Sequence, residues 1–268
     1  MATNYNKEKL YATVVGAAVA DAVGVPYEFK VRDTFRCEDM VGYGTHHQPA
    51  GTWSDDTAMM LATADSIRRC KGAIDADDIA QAFQDWFNEG AYTPDGEVFD
   101  YGITVSEALR TGHGCTGEYS NGNGSLMRIA PLAFTDATDD EIRAVSAITH
   151  AHKISCEACV RFVRLLRQAA QDPIRVKADL TGRFADTDRS AIDSGGFVLA
   201  TEKAALWCFA TTDSYRDCVL TAVNLGRDTD TTACVAGALA GLVYGIEGID
   251  EKWLSTMRGM EVLESCLF

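Results

Sequence analysis

The sequence is short of basic charge. Lys and Arg number 24 against 39 Asp and Glu, a formal net charge of −15 over 268 residues. That balance argues against nucleic acid or an anionic membrane as the main partner, because phosphate surfaces reward the opposite sign. An anionic small ligand would then need a cation or backbone amides at its own site. No Pro/Gly/Ser-rich linker or charge block divides the chain, and 47% of it is hydrophobic, so one domain over residues 1–268 with a sizeable core is expected. Strictly alternating patterns are scarce, which favours an all-α globule. The polar stretch Met1 to Lys9 lacks the apolar core of a signal peptide and leaves the cytoplasm as the expected location. The nine cysteines are odd in number and scattered, unlike a disulfide framework, which points to a reducing compartment. Cys156 and Cys159 have the gap of a zinc half-site, but no second half follows, so buried helix thiols are expected.

What is present is a repeated pattern of acids ahead of apolar helices. Gly226-Arg227-Asp228-Thr229-Asp230-Thr231-Thr232 leads into the run Ala233 to Gly245, which has no proline and falls short of the roughly 20 residues that span a bilayer. Gly237, Gly241 and Gly245 recur at a four-residue step, lining one face of a buried helix where another backbone can approach closely. Thr52-Trp53-Ser54-Asp55-Asp56-Thr57 opens a second apolar stretch, with Ser54 a plausible N-cap. A capping role for Thr229 or Asp230 accounts for one such motif taken alone. If the two segments meet, four clustered aspartates demand cations or protons. Oxygen ligands of this kind suit magnesium or manganese better than zinc.

The rest of the chain reads largely as helices and loops. A first helix is expected from about Glu8 to Ala22, stopped by Gly24 and Pro26 in a stiff turn that aims Glu28. A lone Glu in such a place is ordinarily solvated. His46 and His47 fall in an irregular stretch, Arg36 to Gly51, that reads as a surface loop. Ile74 to Asn88 carries amphipathic spacing, with Asp75 as a cap. Asp100 reads locally as the N-cap of a helix through Val105, Ala108 and Leu109. The glycine-rich stretch Gly112 to Gly124 can present amides to phosphates but lacks the ending of a P-loop, so a flexible surface loop is its default reading. Glu141 to Arg167 looks helical in two parts broken near Thr149-His150-Ala151-His152. Gln171 to Ser194 is polar and weakly patterned. Helical character returns over Phe197 to Phe209 and Tyr215 to Leu225.

Taken together, Asp21 to Glu28, Trp53-Ser-Asp-Asp-Thr57, Asn123-Gly-Ser-Leu-Met-Arg128, Thr149-His150 and Gly226-Arg-Asp-Thr-Asp-Thr231 resemble the motifs of the ADP-ribosylglycohydrolase family, of the ADP-ribosylarginine hydrolase and dinitrogenase reductase-activating type. They occur in the family's order and cover essentially the whole chain. The resemblance implies a compact all-α domain, a centre of two Mg2+ or Mn2+ ions, and hydrolysis of the bond joining ADP-ribose to an acceptor. It implies metal ligation by Ser54, Asp55, Asp56, Asp228, Asp230 and Thr231, and catalytic roles for Glu28 and Asp100. It further implies substrate contacts at Asp100, Gly102, Asn123, Gly124, Ser125, His150, Gly196 and Phe197. The implied partner is an ADP-ribosylated protein or small ADP-ribose conjugate, with an ADP-ribosyltransferase as functional counterpart. Arginine linkage is the leading expectation. Serine-linked or O-acetyl conjugates, or a non-enzymatic toxin-binding or crystallin-like role, are the alternatives. Ala20 stands where many relatives have glycine, Ser54 replaces a common threonine, and Arg227 occupies a position often filled by glycine; none removes an implied ligand.

Overall fold

A computed structural model describes residues 4–268; Met1 to Thr3, part of the polar N-terminus, lie outside them. The described residues hold twelve α-helices and no strand, only isolated bridges. In chain order these are α1 Asn4–Gly24, α2 Asp55–Arg69, α3 Ala76–Glu89, α4 Ile103–Thr111, α5 Asp139–Ala147 and α6 Lys153–Gln171. The second half adds α7 Pro173–Phe184, α8 Val198–Thr211, α9 Tyr215–Val223, α10 Thr229–Tyr244, α11 Glu251–Thr256 and α12 Met260–Cys266. The all-α expectation holds.

The centre is an antiparallel pair, α1 against α10. A Cβ on Gly16 would sit 2.6 Å from the Gly237 carbonyl oxygen, and one on Gly241 would sit 2.3 Å from that of Ala12. Only glycine allows backbones so close. Gly245 does not join this face: it ends α10 with φ +73. The stretch Lys7–Tyr27 has a mean hydropathy of 1.4 and is 89% buried inside the fold. α1 starts earlier than expected, at Asn4, and runs on to Gly24, where a short 3-10 turn, Val25–Tyr27, takes over with Pro26 near its start.

Around this pair, α2 and α8 are buried over most of their length, while α3, α6 and α9 bury one face each. Caps follow local chemistry. Ser54 accepts from the Asp56 amide, Asp75 from Asp77 and Asp78, and Thr138 with Glu141 forms a reciprocal capping box. α5 and α6 break over Ile148 to His152, as the sequence indicates, and Cys156 and Cys159 are buried thiols.

Three local expectations are corrected. The segment Gln171 to Ser194 contains a full helix, α7, begun by Pro173 and capped by Asp172, which accepts from the Arg175 amide. Asp100 is not an N-cap: Gly102 holds that position for α4, and Asp100 lies just outside it with φ +49. The end of the glycine-rich stretch is no flexible surface, since Asn121 and residues 123–130 are buried.

Candidate active site

The N-termini of α2 and α10 converge beside the end of α1. A Cβ on Gly24 would lie 2.4 Å from the Asp230 Cα, and the Thr229 hydroxyl donates to the Gly24 carbonyl at 2.9 Å. Thr231 Oγ1 donates to Asp56 Oδ2 at 3.2 Å, so the two acidic motifs do meet. Ser54 Oγ reaches the same Asp56 oxygen at 3.0 Å. The simple capping reading of the Gly226–Thr232 motif fails. Asp228 occupies the N-cap position of α10 without a side-chain cap bond, Thr229 bonds across to α1, and Asp230 lies inside the helix.

Asp56 and Asp230 are buried and Asp228 is half-buried, and three carboxylate oxygens shielded from solvent, Asp56 Oδ1, Asp228 Oδ1 and Asp230 Oδ2, have no hydrogen-bond partner. A buried carboxylate oxygen left unpaired is costly unless a cation or proton satisfies it. Two groups of candidate ligand atoms, each within 4.8 Å of one another, share Asp230: Glu28, His46, Asp100 and Asp230 in one, Asp21, Asp56 and Asp230 in the other. An oxygen-rich donor set of this kind fits a hard divalent cation. Burial, then the charges of neighbouring carboxylates, pushes Asp55, Asp56 and Asp230 well above the ordinary carboxylate range. Asp228 is raised as well, against the pull of its bond to Asn123. Asp55 joins neither ligand group but stands buried beside them, within the influence of Asp100 and Asp56.

Glu28 is not a solvated surface acid. It is 5% exposed, and burial with the charges of Asp100 and Asp228 pushes its pKa up to about 10. His46 is no loose loop residue either: its Nε2 contacts Glu28 Oε2 and lies 3.9 Å from Asp100 Oδ2. Its role was illegible locally because its partner lies 18 positions away in the chain. Asp21 is the other residue that site reasoning missed, although it opens a quoted motif. It accepts from the Ser54 and Thr57 amides and, at 2.6 Å, from the Thr57 hydroxyl, so it anchors the start of α2 from α1. Burial raises its pKa to about 6.

The remaining expected contacts surround this centre unequally. Asn123 Nδ2 donates to Asp228 Oδ2 at 2.8 Å and to Thr201 at 2.9 Å, while its amide donates to the Gly196 carbonyl. Gly196 lies against the site, where a Cβ would come 3.2 Å from Asp228 Oδ2. Phe197 is 46% exposed at the rim, and Gly102 is exposed with open space around it. Gly124 backs onto the His150 ring, 2.9 Å from where its Cβ would stand. His150 is buried with its pKa lowered to about 3 by burial and the Arg128 charge, so it is neutral, and its Nδ1 pairs with the Thr149 hydroxyl at 2.8 Å. The Ser125 hydroxyl instead turns inward to Ser146 and Cys159. Arg128 holds this loop from behind, donating to the Gly124 carbonyl at 2.6 Å with its guanidinium over the Phe83 ring. Arg227, in a left-handed conformation, has its backbone bonded to Phe29 and Lys30 and its side chain paired with Asp193 at 2.8 Å.

Fold and site together define an all-helical protein with a buried acidic centre suited to cation binding, open to the surface beside Asp100 and Phe197. Residues 2–267 match the ADP-ribosylglycohydrolase family. The chain is 32% identical to ADP-ribosylarginine hydrolase Tri1 of Pseudomonas putida, covering 92% of this chain and 73% of that protein. It is 28% identical to ADP-ribosyl-[dinitrogen reductase] glycohydrolase of Rhodospirillum rubrum, over 93% and 90% of the two chains. Mouse ADP-ribosylhydrolase ARH3 is 24% identical over 92% of this chain and 87% of its own. A solved structure described as an ADP-ribosylglycohydrolase-related protein complex superposes with a TM-score of 0.81, at 28% identity, over 98% and 96% of the two chains. The chain belongs to the ADP-ribosylglycohydrolase family, a group of glycosidic-bond hydrolases.

Proposed function

We propose that this protein is a metal-dependent hydrolase that removes ADP-ribose from modified arginine side chains of proteins. The observation that carries the chemistry is the trio of buried, unpaired carboxylate oxygens on Asp56, Asp228 and Asp230 where α2 meets α10. Asp230 belongs to both groups of candidate ligands, which supports a centre of two Mg2+ or Mn2+ ions that Ser54, Asp55, Asp56, Asp228, Asp230 and Thr231 would hold. Such ions, when bound, orient the ribose hydroxyls and lower the pKa of a water.

The chain's own groups do the rest. Breaking the bond at the anomeric carbon develops positive charge, and the surrounding carboxylates stabilise it. Asn123 fixes the Asp228 carboxylate, and the Gly196 backbone beside it leaves room for a sugar where any side chain would intrude. Asn123, Gly124 and Gly196 line the approach, with neutral His150 behind Gly124 and Phe197 at the rim. A departing guanidine must gain a proton, and Glu28 or Asp100 supplies it. Ser125 contributes through its backbone alone, because its hydroxyl is taken up in the core.

The arginine linkage rests on the higher identity to relatives named for it, 32% and 30%, than to the 24% relative named ARH3. The substrate is therefore an ADP-ribosylated protein made by an ADP-ribosyltransferase, and the cytoplasm is the proposed location. The test is kcat/KM for ADP-ribose release from arginine-linked and serine-linked peptides and from O-acetyl-ADP-ribose, with Mg2+ or Mn2+. The arginine conjugate is expected to lead by about tenfold or more, a differential transition-state binding of about 1.4 kcal/mol. Preference for another conjugate transfers the reading to that linkage. ADP-ribose binding without turnover of any conjugate supports a binding protein.

A further inference from the structure

The loop before α2 is built to deliver one side chain. Tyr43 and Gln48 form an antiparallel bridge, with Tyr43 N donating to the Gln48 carbonyl at 2.5 Å. Between them Tyr43, Gly44 and His47 all have positive φ. Such conformations are sparsely populated for Tyr and His and persist only where the surroundings enforce them. Gly44 packs so tightly on the turn below that a Cβ there would be 2.1 Å from the Pro26 carbonyl oxygen. The Thr45 hydroxyl donates to the Glu28 carbonyl at 2.7 Å. The loop is thus fastened to the backbone that carries Glu28, and its product is the placement of His46.

The imidazole is fixed on every side. Its ring lies 5.9 Å from that of Phe29 and 5.3 Å from that of Phe99, and its side chain is 13% exposed. Nε2 is hydrogen-bonded to Glu28 Oε2 and stands 3.9 Å from Asp100 Oδ2. Glu28 follows a 3-10 turn and Asp100 sits at φ +49 in a loop, so neither acid is carried inside a helix. His46 Nε2 faces both acids, bonded to Glu28 and 3.9 Å from Asp100.

We propose that His46 is a positioning residue: its Nε2 bond holds the Glu28 carboxyl in a fixed relation to Asp100, so that the two acids present one geometry to the glycosidic bond. This rests on the hydrolase reading above. Proton transfer in the transition state is sensitive to placement, and a displacement of about 1 Å can cost about 100-fold in rate.

The test compares His46→Phe, which keeps a ring between Phe29 and Phe99 but loses the hydrogen bond, with His46→Gln, whose amide offers both a donor and an acceptor. Each is assayed over a range of Mn2+ up to saturation, with Mn2+ affinity and Tm measured alongside. His46→Phe is expected to lower kcat about 30- to 100-fold with KM within about threefold. His46→Gln is expected to recover most of that loss, and both variants to bind Mn2+ within about threefold of the wild type. A kcat for His46→Phe within twofold of wild type overturns the proposal. So does a His46→Gln as slow as His46→Phe with unchanged Tm, or activity restored by raising Mn2+, which would make His46 a ligand. A second readout needs no turnover: the 15N shift of His46 Nε2 should move on Glu28→Gln and stay put on Asp179→Asn, a change at an exposed α7 residue that pairs only with Arg175 on the same helix. Should the wild type release ADP-ribose from no conjugate, the hydrolase reading falls, and an Nε2 shift that ignores Glu28→Gln removes the pairing independently.

Discussion

Gly24 and Asp230 touch through their backbones: a Cβ on Gly24 would lie 2.4 Å from the Asp230 Cα and 2.6 Å from its amide nitrogen. The contact that lets α1 pack on α10 also sets the depth of the acidic centre. Gly24→Ala is therefore expected to push the start of α10 outward, costing about 1–3 kcal/mol by overpacking and weakening Mn2+ binding with it. Urea unfolding and Mn2+ titration check the two effects. Normal Mn2+ affinity in a destabilised variant would separate the packing from the site.

Asp230→Asn replaces a buried charge by a neutral group of the same shape within a cluster of like charges. Release of ADP-ribose should fall by at least about 100-fold, the scale seen when a group that orients metal or stabilises transition-state charge is lost. The metal-free variant should melt no lower than metal-free wild type, because burial and neighbouring acids already oppose the charged form of Asp230. Thermal melts in chelator, beside activity assays, decide it. A large drop in Tm would make Asp230 a structural residue first.

If the unpaired oxygens of Asp56, Asp228 and Asp230 hold cations, stability must depend on cation concentration. At 100 times its Kd, a cation bound only by the folded chain adds about 2.7 kcal/mol. Tm should rise with Mg2+ or Mn2+ and fall back on chelation, and scanning calorimetry reads this directly. A Tm indifferent to both ions and chelator would count against the centre.

Asn123 ties the glycine-rich loop to the centre, with one side-chain amide shared between Asp228 and Thr201. Asn123→Ala frees the second Asp228 oxygen in a half-buried position and should cost about 1 kcal/mol or more in stability or transition-state binding. A kcat/KM fall of tenfold or more, with Tm lowered by a few degrees, is expected. No change in either would show the loop to be held by its backbone bonds alone.

Far from the centre, Asp39 accepts from Trp253 Nε1 at 2.6 Å and pairs with Lys252, tying the loop after α1 to α11. The Lys252 bond, then that of Trp253, lowers its pKa to about 2. A carboxyl depressed on folding contributes stability above its unfolded value, near 4, and loses it as pH falls through about 2. Asp39→Asn should cost about 1 kcal/mol at neutral pH once solvent screening at a partly exposed site is allowed for. The gap from wild type should close on acidification below pH 4. Urea midpoints at pH 7, 4 and 3 test the sign.

Much of the fold was legible because the long helices announce themselves. The glycine step of α10 foretold a close backbone neighbour, and the recurrence of two Asp motifs raised a shared centre as a hypothesis that spacing alone did not decide, since capping accounts for either motif by itself; the Thr231–Asp56 bond shows that they meet. α7 was missed although Val176, Leu180 and Phe184 form its buried stripe: three buried apolar residues among Arg, Lys, Asp and Thr, with Ile174 of the same helix exposed, are a weak periodic signal. α11 and α12, of 6 and 7 residues, are too short for periodicity to register. His46 escaped notice for a different reason. Its meaning depends on positive-φ turns at Tyr43, Gly44 and His47 and on the contact of Gly44 with Pro26, relations that residue spacing does not encode. Ser125 shows the reverse, where a motif position points its side chain into the core.

The most direct measurement is the release of free ADP-ribose from an arginine-ADP-ribosylated protein by the purified chain, with Mg2+ or Mn2+, after chelation, and after the ion is restored. Release that stops with chelator and returns with the ion is the expected result. Release that continues undiminished in chelator would contradict the metal centre built from Asp56, Asp228 and Asp230, and no release under any condition would contradict the arginine linkage itself.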